Sequence, residues 1–263
     1  MNELNITYPN SLFVHSKIKI EELMKIEGFS WKIQLALLDM LCRFIKPNCA
    51  VEFGTWHGRS SVIFSSYVND TKGMFWGIEP DKERQEITQK NCELVCPDGK
   101  IYIEKNISYY SSMKGERPFT DIVHIDGEHS FNAVYGDLDL AKKILIRNGI
   151  IILDDFFFDM YPQITQATYK WLENNPDYIL VAVGFCKGMI CNRMFYNRYA
   201  DMFLNDEFLT EIRKYDTGVS KISITRTSPL SDCLTLGLST YVSTENYVGN
   251  ECADGKMEHI SKL

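Results

Sequence analysis

Apolar residues follow two rhythms along this chain. A helical rhythm opens it: from Trp31 to Ile45, Leu37, Leu38, Leu41, Phe44 and Ile45 form one stripe at helical spacing, with Ser30 as its expected cap and Pro47 as its stop. Short apolar runs then alternate with amphipathic ones. Strands are predicted at Cys49–Phe53, Met74–Ile78, Lys100–Ile103, Asp121–Ile125 and Ile150–Leu153. Helices are predicted at Ser60–Val68, Lys82–Leu94, Phe131–Ile146 and Gln163–Asn174, the last opened by Pro162. Two further strands, Tyr178–Val183 and Met189–Phe195, flank the turn-prone Gly184-Phe185-Cys186-Lys187-Gly188.

Repeated strand–helix units imply a doubly wound α/β fold, with a mostly parallel, seven-stranded sheet between two layers of helices. The last connection is too short for a crossover helix, so the final strand runs antiparallel to its neighbour. Residues 199–215 read as helical, and beyond Asp216 the periodicity fades into Ser, Thr and Gly. The expected organisation is an N-terminal extension over 1–29, a central domain over 30–197 and a C-terminal helix with an irregular extension over 198–263.

Length and composition narrow the classes. The 263 residues are 45% hydrophobic and 24% charged, which suits one core-forming domain with additions. A net charge of −7 argues against a general nucleic-acid binder, which needs a basic face. No apolar run is long enough to span a bilayer, and the N-terminus lacks a secretory pattern. The eight cysteines are scattered without a C-x-x-C pair, so free thiols in a reducing compartment, the cytoplasm, are expected. The terminal Ser261-Lys262-Leu263 is a peroxisomal address in a eukaryote and has no meaning in a bacterium. Assembly into a homo-oligomer is compatible with the sequence.

The chemistry concentrates at predicted strand ends. Ala50-Val51-Glu52-Phe53-Gly54-Thr55-Trp56-His57-Gly58-Arg59-Ser60 reads as a buried strand, a glycine loop and a helix start. Gly54 and Gly58 allow a tight turn and close approach to a ligand, and Ser60 or Ser61 caps the helix. Such a unit cradles a nucleotide-like ligand. The loop lacks the G-x-G-x-x-G of dinucleotide sites, and Glu52 suits a ligand with an amino group, such as S-adenosylmethionine (SAM). In Trp76-Gly77-Ile78-Glu79-Pro80-Asp81, Glu79, or next Asp81, is placed to accept from ribose hydroxyls; the plainer reading is an acid beside a helix start. Asp126, Asp154 and Asp155 end two strands that can be neighbours. Three such carboxylates repel, so a positive group belongs among them, and a hard divalent cation fits best. The plainer alternative is that the aspartates cap helices.

Taken together, VEFGTWHGRS, WGIEPD, DIVHIDGEHSFNAVYGDL and NGIIILDDF resemble class I SAM-dependent methyltransferases. The nearest type is the metal-dependent O-methyltransferases of macrolide sugars, the mycinamicin and macrocin enzymes, with their cephalosporin-hydroxylase-like relatives. The resemblance spans roughly residues 30 to 196. It implies SAM as cofactor, magnesium or manganese on Asp126, Asp154 and Asp155, and His129 as base. It implies cofactor contacts from Glu52, Gly54, Gly58, Ser60, Glu79 and Asp126, and a small-molecule or sugar acceptor, including a polysaccharide or nucleotide-sugar precursor. A catechol-like or other natural-product diol is the next acceptor class. Asn148-Gly149 departs from the family's usual turn, and the region after Asn197 does not align. His57 is expected to pack or touch cofactor, His124 to be buried in the sheet, and Asp137 and Asp139 to be structural or solvated. The run Phe156-Phe157-Phe158-Asp159-Met160-Tyr161 reads as a substrate wall or equally as core or an oligomer contact. Two rival readings remain: a nucleotide-dependent oxidoreductase on the same sheet, and a non-catalytic SAM-binding relative.

Overall fold

The computed structural model describes residues 11–106, 119–215, 221–225, 233–237 and 258–260. Ser261-Lys262-Leu263 and residues 1–10 lie outside them. A short α1 (Ile20–Leu23) precedes α2 (Lys32–Ile45). There follow β1 (Cys49–Phe53), α3 (Ser61–Asp70), β2 (Met74–Ile78), α4 (Lys82–Glu93), β3 (Lys100–Glu104), β4 (Thr120–Ile125), α5 (Phe131–Ile144), β5 (Leu145–Leu153), α6 (Pro162–Asn174), β6 (Tyr178–Gly184) and β7 (Lys187–Asn192). The chain continues with α7 (Tyr196–Phe203), α8 (Asp206–Arg213), β8 (Lys221–Thr225), β9 (Cys233–Gly237) and β10 (Glu258–Ile260).

The α/β, mostly parallel sheet is as expected, but it is larger. Its order is β10-β8-β9-β6-β7-β5-β4-β1-β2-β3, ten strands rather than seven. The additional strands come from the C-terminal extension: β9 runs parallel to β6, and β8 pairs antiparallel with β9. β7 is antiparallel to both β5 and β6. Between β1 and β4 the chain order reverses, the point at which open α/β sheets form a ligand crevice.

Side-chain alternation divides the core in two. Ala50, Phe75, Ile122, Ile150, Ile152, Met189 and Cys191 pack with α2, α3, α7 and α8. Val51, Phe53, Val123, Ile125, Ile151, Leu153 and Ile190 pack with α5 and α6. Arg43 of α2 ties the extension down, pairing with Glu207 at 3.1 Å and Glu211 at 3.6 Å.

Several boundaries differ from the pattern. α2 is closed at its start by Gln34, whose Oε1 accepts from Trp31 N at 2.8 Å, while the Ser30 carbonyl accepts from Arg59. α5 stops at Ile144, because Leu145 already pairs with Thr120 and is buried as part of a longer β5. β7 ends at Asn192, whose side chain accepts from Met194 N and starts a 3-10 turn over Arg193–Phe195. The expected helix over 199–215 is two helices, since Asn205 caps the second by accepting from Glu207 N at 2.8 Å. The seven cysteines among the described residues are unbonded. Among the described residues no helix is long and apolar enough to cross a membrane.

Gly54 holds a left-handed backbone (φ +83°), and a Cβ there would lie 1.9 Å from the Asp126 carbonyl oxygen. Gly54→Ala is therefore expected to destabilise the fold by about 2 kcal/mol or more, because the clash is with backbone on the next strand. Chemical denaturation checks this, and wild-type stability in the variant would contradict it.

Candidate active site

Register brings the functional residues to one sheet face. Ala50, Ile122, Ile150 and Met189 point toward the α2/α3 side, so Glu52, His124, Asp126, Asp154 and Lys187 share that side by period-two alternation. Glu52 pairs in register with His124, Ile125 with Leu153, and Leu153 with Gly188. One step beyond, Asp126 sits beside Asp154, and Asp154 beside Lys187. The strand ends are stapled by backbone bonds: Asp126 N to Phe53 O at 2.7 Å, and Asp154 N to Ile125 O at 2.9 Å.

A buried polar chain runs through this face. Glu52 is 0% exposed, and its carboxylate accepts from Ser60 Oγ at 2.6 Å and from Ser61 Oγ. His124 Nδ1 lies 2.7 Å from Glu52 Oε1, and Lys187 Nζ lies 3.4 Å from His124 Nε2. Lys187 has no acceptor lone pair, so it donates to Nε2 and the proton on His124 belongs on Nδ1, facing Glu52. Lys187 Nζ also lies 2.7 Å from Asp154 Oδ2. Lysine and glutamate both sit at 0% exposure, which is tolerable only because every charged atom has a partner.

This arrangement corrects several sequence expectations. Glu52 and Ser60 are both buried, and they bond to each other within the interior chain. Ser60 and Ser61 make no side-chain cap to α3, since their hydroxyls serve Glu52. Gly54 and Gly58 are needed for protein packing: a Cβ on Gly58 would meet Thr88 Cγ2 at 3.0 Å, as one on Gly54 would meet Asp126. Glu79 is also nearly buried, accepting from Trp56 N at 2.9 Å and Asp81 N at 3.1 Å, so it anchors the glycine loop. Each of its oxygens retains lone-pair capacity for a ribose hydroxyl. Asp81 caps α4 through Arg84 N. The Arg84 guanidinium stacks on the Trp56 ring at 3.5 Å. His57 packs against Trp56, with Nδ1 3.4 Å from Glu27, as a packing residue does.

The three aspartates converge, in unlike environments. Asp126 is partly exposed, and its carboxyl is pushed well above the usual range, by burial first and by the Asp154 charge second. Burial also works to raise Asp154, but the Lys187 ammonium outweighs it and holds that carboxyl below its ordinary value. Asp155 is raised by burial and by Asp154, with His129 opposing. His129 Nε2 lies 3.7 Å from Asp155 Oδ2, and its ring rests 4.1 Å from Tyr161. Asp155 and Phe157 both adopt left-handed backbone (φ 51° and 64°), uncommon for non-glycine residues and often found at functional loops. In the aromatic run, Phe156 is core at 1% exposure, whereas Phe157 and Met160 are exposed.

A cation site was expected on Asp126, Asp154 and Asp155. The grouping that the geometry forms is His124, Asp126 and Asp154, with one ligand atom each within 4.8 Å of one another. Magnesium prefers six oxygens, and this set contains an imidazole. The His124 nitrogen and the Asp154 Oδ2 both already face the Lys187 ammonium. As arranged, these residues do not fit magnesium. Lys187 is the residue that sequence reasoning missed: it stood in a turn-prone pentapeptide, with nothing local to show that register would bury it beside Asp154.

Asp139 is structural, accepting from Trp171 Nε1 at 2.8 Å. Asp137 faces Gly127 and is raised from 3.8 to about 6, by burial and then by Glu128. An acid raised by folding stabilises the native state below its unfolded value, and that contribution is lost as pH rises through the folded value. Wild-type stability is thus expected to fall by up to about 3 kcal/mol between pH 4 and 7 from this group, and Asp137→Asn to remove that slope. Denaturation across the pH range checks it; identical slopes would count against it.

Residues 51–156 match a family described as a methyltransferase domain. An O-methyltransferase, ankF, of Aspergillus thermomutatus is 22% identical over 130 residues, covering 48% of this chain and 54% of that protein. The chain thus spans about half the length of this curated relative. Among solved structures, the SAH-bound methyltransferase PaMTH1 of Podospora anserina aligns with a TM-score of 0.52 at 15% identity, over 68% of this chain and 90% of that one. The O-methyltransferase TomG of Streptomyces achromogenes, in complex with SAM, aligns at 0.51 and 16% identity, over 67% and 91%. These structural likenesses concern the fold. The strand order 3-2-1-4-5 is the part of the sheet that these likenesses share, and residues 51–156 are the segment that matches the methyltransferase-domain description.

Proposed function

We propose that this chain is a SAM-dependent O-methyltransferase that acts on a hydroxyl of a small molecule or sugar. The observation that carries this reading is Asp126. It sits at the crevice where strand order reverses, partly exposed, beside the glycine loop. Asp154 is paired with the Lys187 ammonium and Asp155 lies beside the His129 imidazole, whereas no protein cation among the described residues forms an ion pair with Asp126. The α-ammonium of SAM supplies the missing charge, and Glu79, at the next strand end, lies on the side where a ribose would follow. The family match and the O-methyltransferase relative support the same reading.

When bound, SAM supplies an activated methyl group: the new O–C bond forms as the S–C bond breaks, with its electrons left on sulfur. The protein has to align the acceptor and remove its proton, and alignment alone is worth about 7 kcal/mol or more in favourable cases. His129 is the base, because its imidazole is partly open to the crevice and is oriented between Asp155 and the Tyr161 ring. Asp155 stabilises the imidazolium that forms. Phe157 and Met160, exposed on the loop after β5, offer an apolar wall for an acceptor ring. A sugar hydroxyl is the favoured acceptor by resemblance, with a natural-product diol next.

SAM or its demethylated product at ~100 times its dissociation constant is expected to add about 2.7 kcal/mol of apparent stability. Asp126→Ala should weaken SAM binding by about tenfold or more, since an opposite charge is lost. No thermal-shift response to either compound, with a response to NADH instead, would overturn the reading.

His129→Ala should keep SAM affinity and lower kcat by about 10²–10⁴-fold, with the residual rate rising at high pH as the acceptor ionises unaided. Unchanged kcat on an accepted substrate would remove His129 as base.

A further inference from the structure

We propose that Lys187 is the resident cation of the acidic strand ends, standing where related sites would hold a divalent metal, so that this chain binds its cofactor without one. The ammonium is placed by the fold. β7 runs antiparallel to β5 with Leu153 opposite Gly188, which sets Lys187 across from Asp154. Side-chain alternation turns it to the same face as His124 and Asp126. It is 0% exposed, and its Nζ lies 2.7 Å from Asp154 Oδ2 and 3.4 Å from His124 Nε2.

Those two residues belong to the group of three potential ligands, with Asp126 as the third. A divalent ion binding Asp154 Oδ2 at ~2.1 Å would share that oxygen with an ammonium already in contact with it. Like charges at that separation, without water between them, repel strongly. Lys187 cannot simply withdraw, because its surroundings are buried and an ammonium without a partner there is heavily penalised. The His124 lone pair is taken by the lysine, and the other ring nitrogen faces Glu52. The closest carboxylate is also met without a metal: the Lys187 ammonium lies 2.7 Å from Asp154 Oδ2, and a ligand ammonium would face Asp126. The inference rests on the methyltransferase reading for the role of the site, but its test uses metal alone.

The probe is Mn²⁺, followed by calorimetry and by its paramagnetic resonance signal, on wild type and on Lys187→Met. The methionine variant keeps the length of the side chain and removes the charge. Wild type is expected to show no saturable, stoichiometric Mn²⁺ binding. The folded Lys187→Met protein should gain it, tighter by about tenfold or more, and Asp154→Asn in that background should abolish the gain. In a separate measurement, wild-type SAM affinity should be unchanged by a chelator. Stoichiometric Mn²⁺ binding to wild type would overturn the proposal even if no variant folds. So would a folded Lys187→Met protein that gains no Mn²⁺ binding, or a chelator that lowers SAM affinity about tenfold or more. Loss of SAM binding under all conditions would instead overturn the methyltransferase reading and leave the metal result standing.

Discussion

A lysine on β7 and a glutamate on β1 are buried with two strands between them, and the imidazole on one of those strands makes this possible. Lys187 pairs with Asp154, donates to His124, and His124 faces Glu52, which also receives two serine hydroxyls. Any one of these groups alone would carry a desolvation penalty of several kcal/mol. As a connected series each donor meets an acceptor, and the series spans β1, β4, β5 and β7. It therefore ties the parallel half of the sheet to the antiparallel strand that follows. The same face is apolar one residue pair further down, at Ala50, Ile122, Ile150 and Met189. The polar segment begins where the strands approach the crevice, so the interior chain supports Asp126 from below while Asp126 itself reaches the opening.

The glycine loop depends on the same constraint. Gly54 lies so close to the Asp126 carbonyl that no side chain fits, and Glu79 holds Trp56 N from the other side. The loop is thus positioned by the strand ends on either side of it, β2 and β4, and its conformation is linked to Asp126 at the crevice. The loop after β5 is less regular: Asp155 and Phe157 take left-handed backbone angles within three residues, next to the exposed Phe157 and Met160. Strained backbone on a rigid sheet edge is the arrangement expected where an acceptor must be received and oriented.

Much of this was legible from the residues alone. The first five strands, the order of helices and the convergence of Asp126, Asp154 and Asp155 follow from local periodicity and from the rule that strand ends share a crevice. The burial of Glu52 and its bonds to Ser60 and Ser61 were not legible locally, because an acid beside a glycine loop carries no mark of its direction. Parity offered one: Glu52 shares its face with Ala50, which points into the core. Lys187 could not have been found, because its neighbour Asp154 is fixed by the register of an antiparallel pairing rather than by spacing. The missed strands had a weak signal. Lys221-Ile222-Ser223-Ile224-Thr225 and Cys233-Leu234-Thr235-Leu236-Gly237 alternate, but each is only five residues long and lies among Ser and Thr. That a positive group should stand near the aspartates follows from their repulsion; that Lys187 lies against Asp154 depended on long-range structure.

The most direct measurement is a high-resolution crystal structure of the complex with S-adenosylhomocysteine, grown with manganese present. The ligand's α-amino nitrogen is expected within about 2.7–3.2 Å of the Asp126 carboxylate. Lys187 should remain on Asp154, with no anomalous manganese peak among the aspartates. A ligand bound away from the β1–β4 crevice, or a manganese ion on Asp154 with Lys187 displaced, would contradict the account.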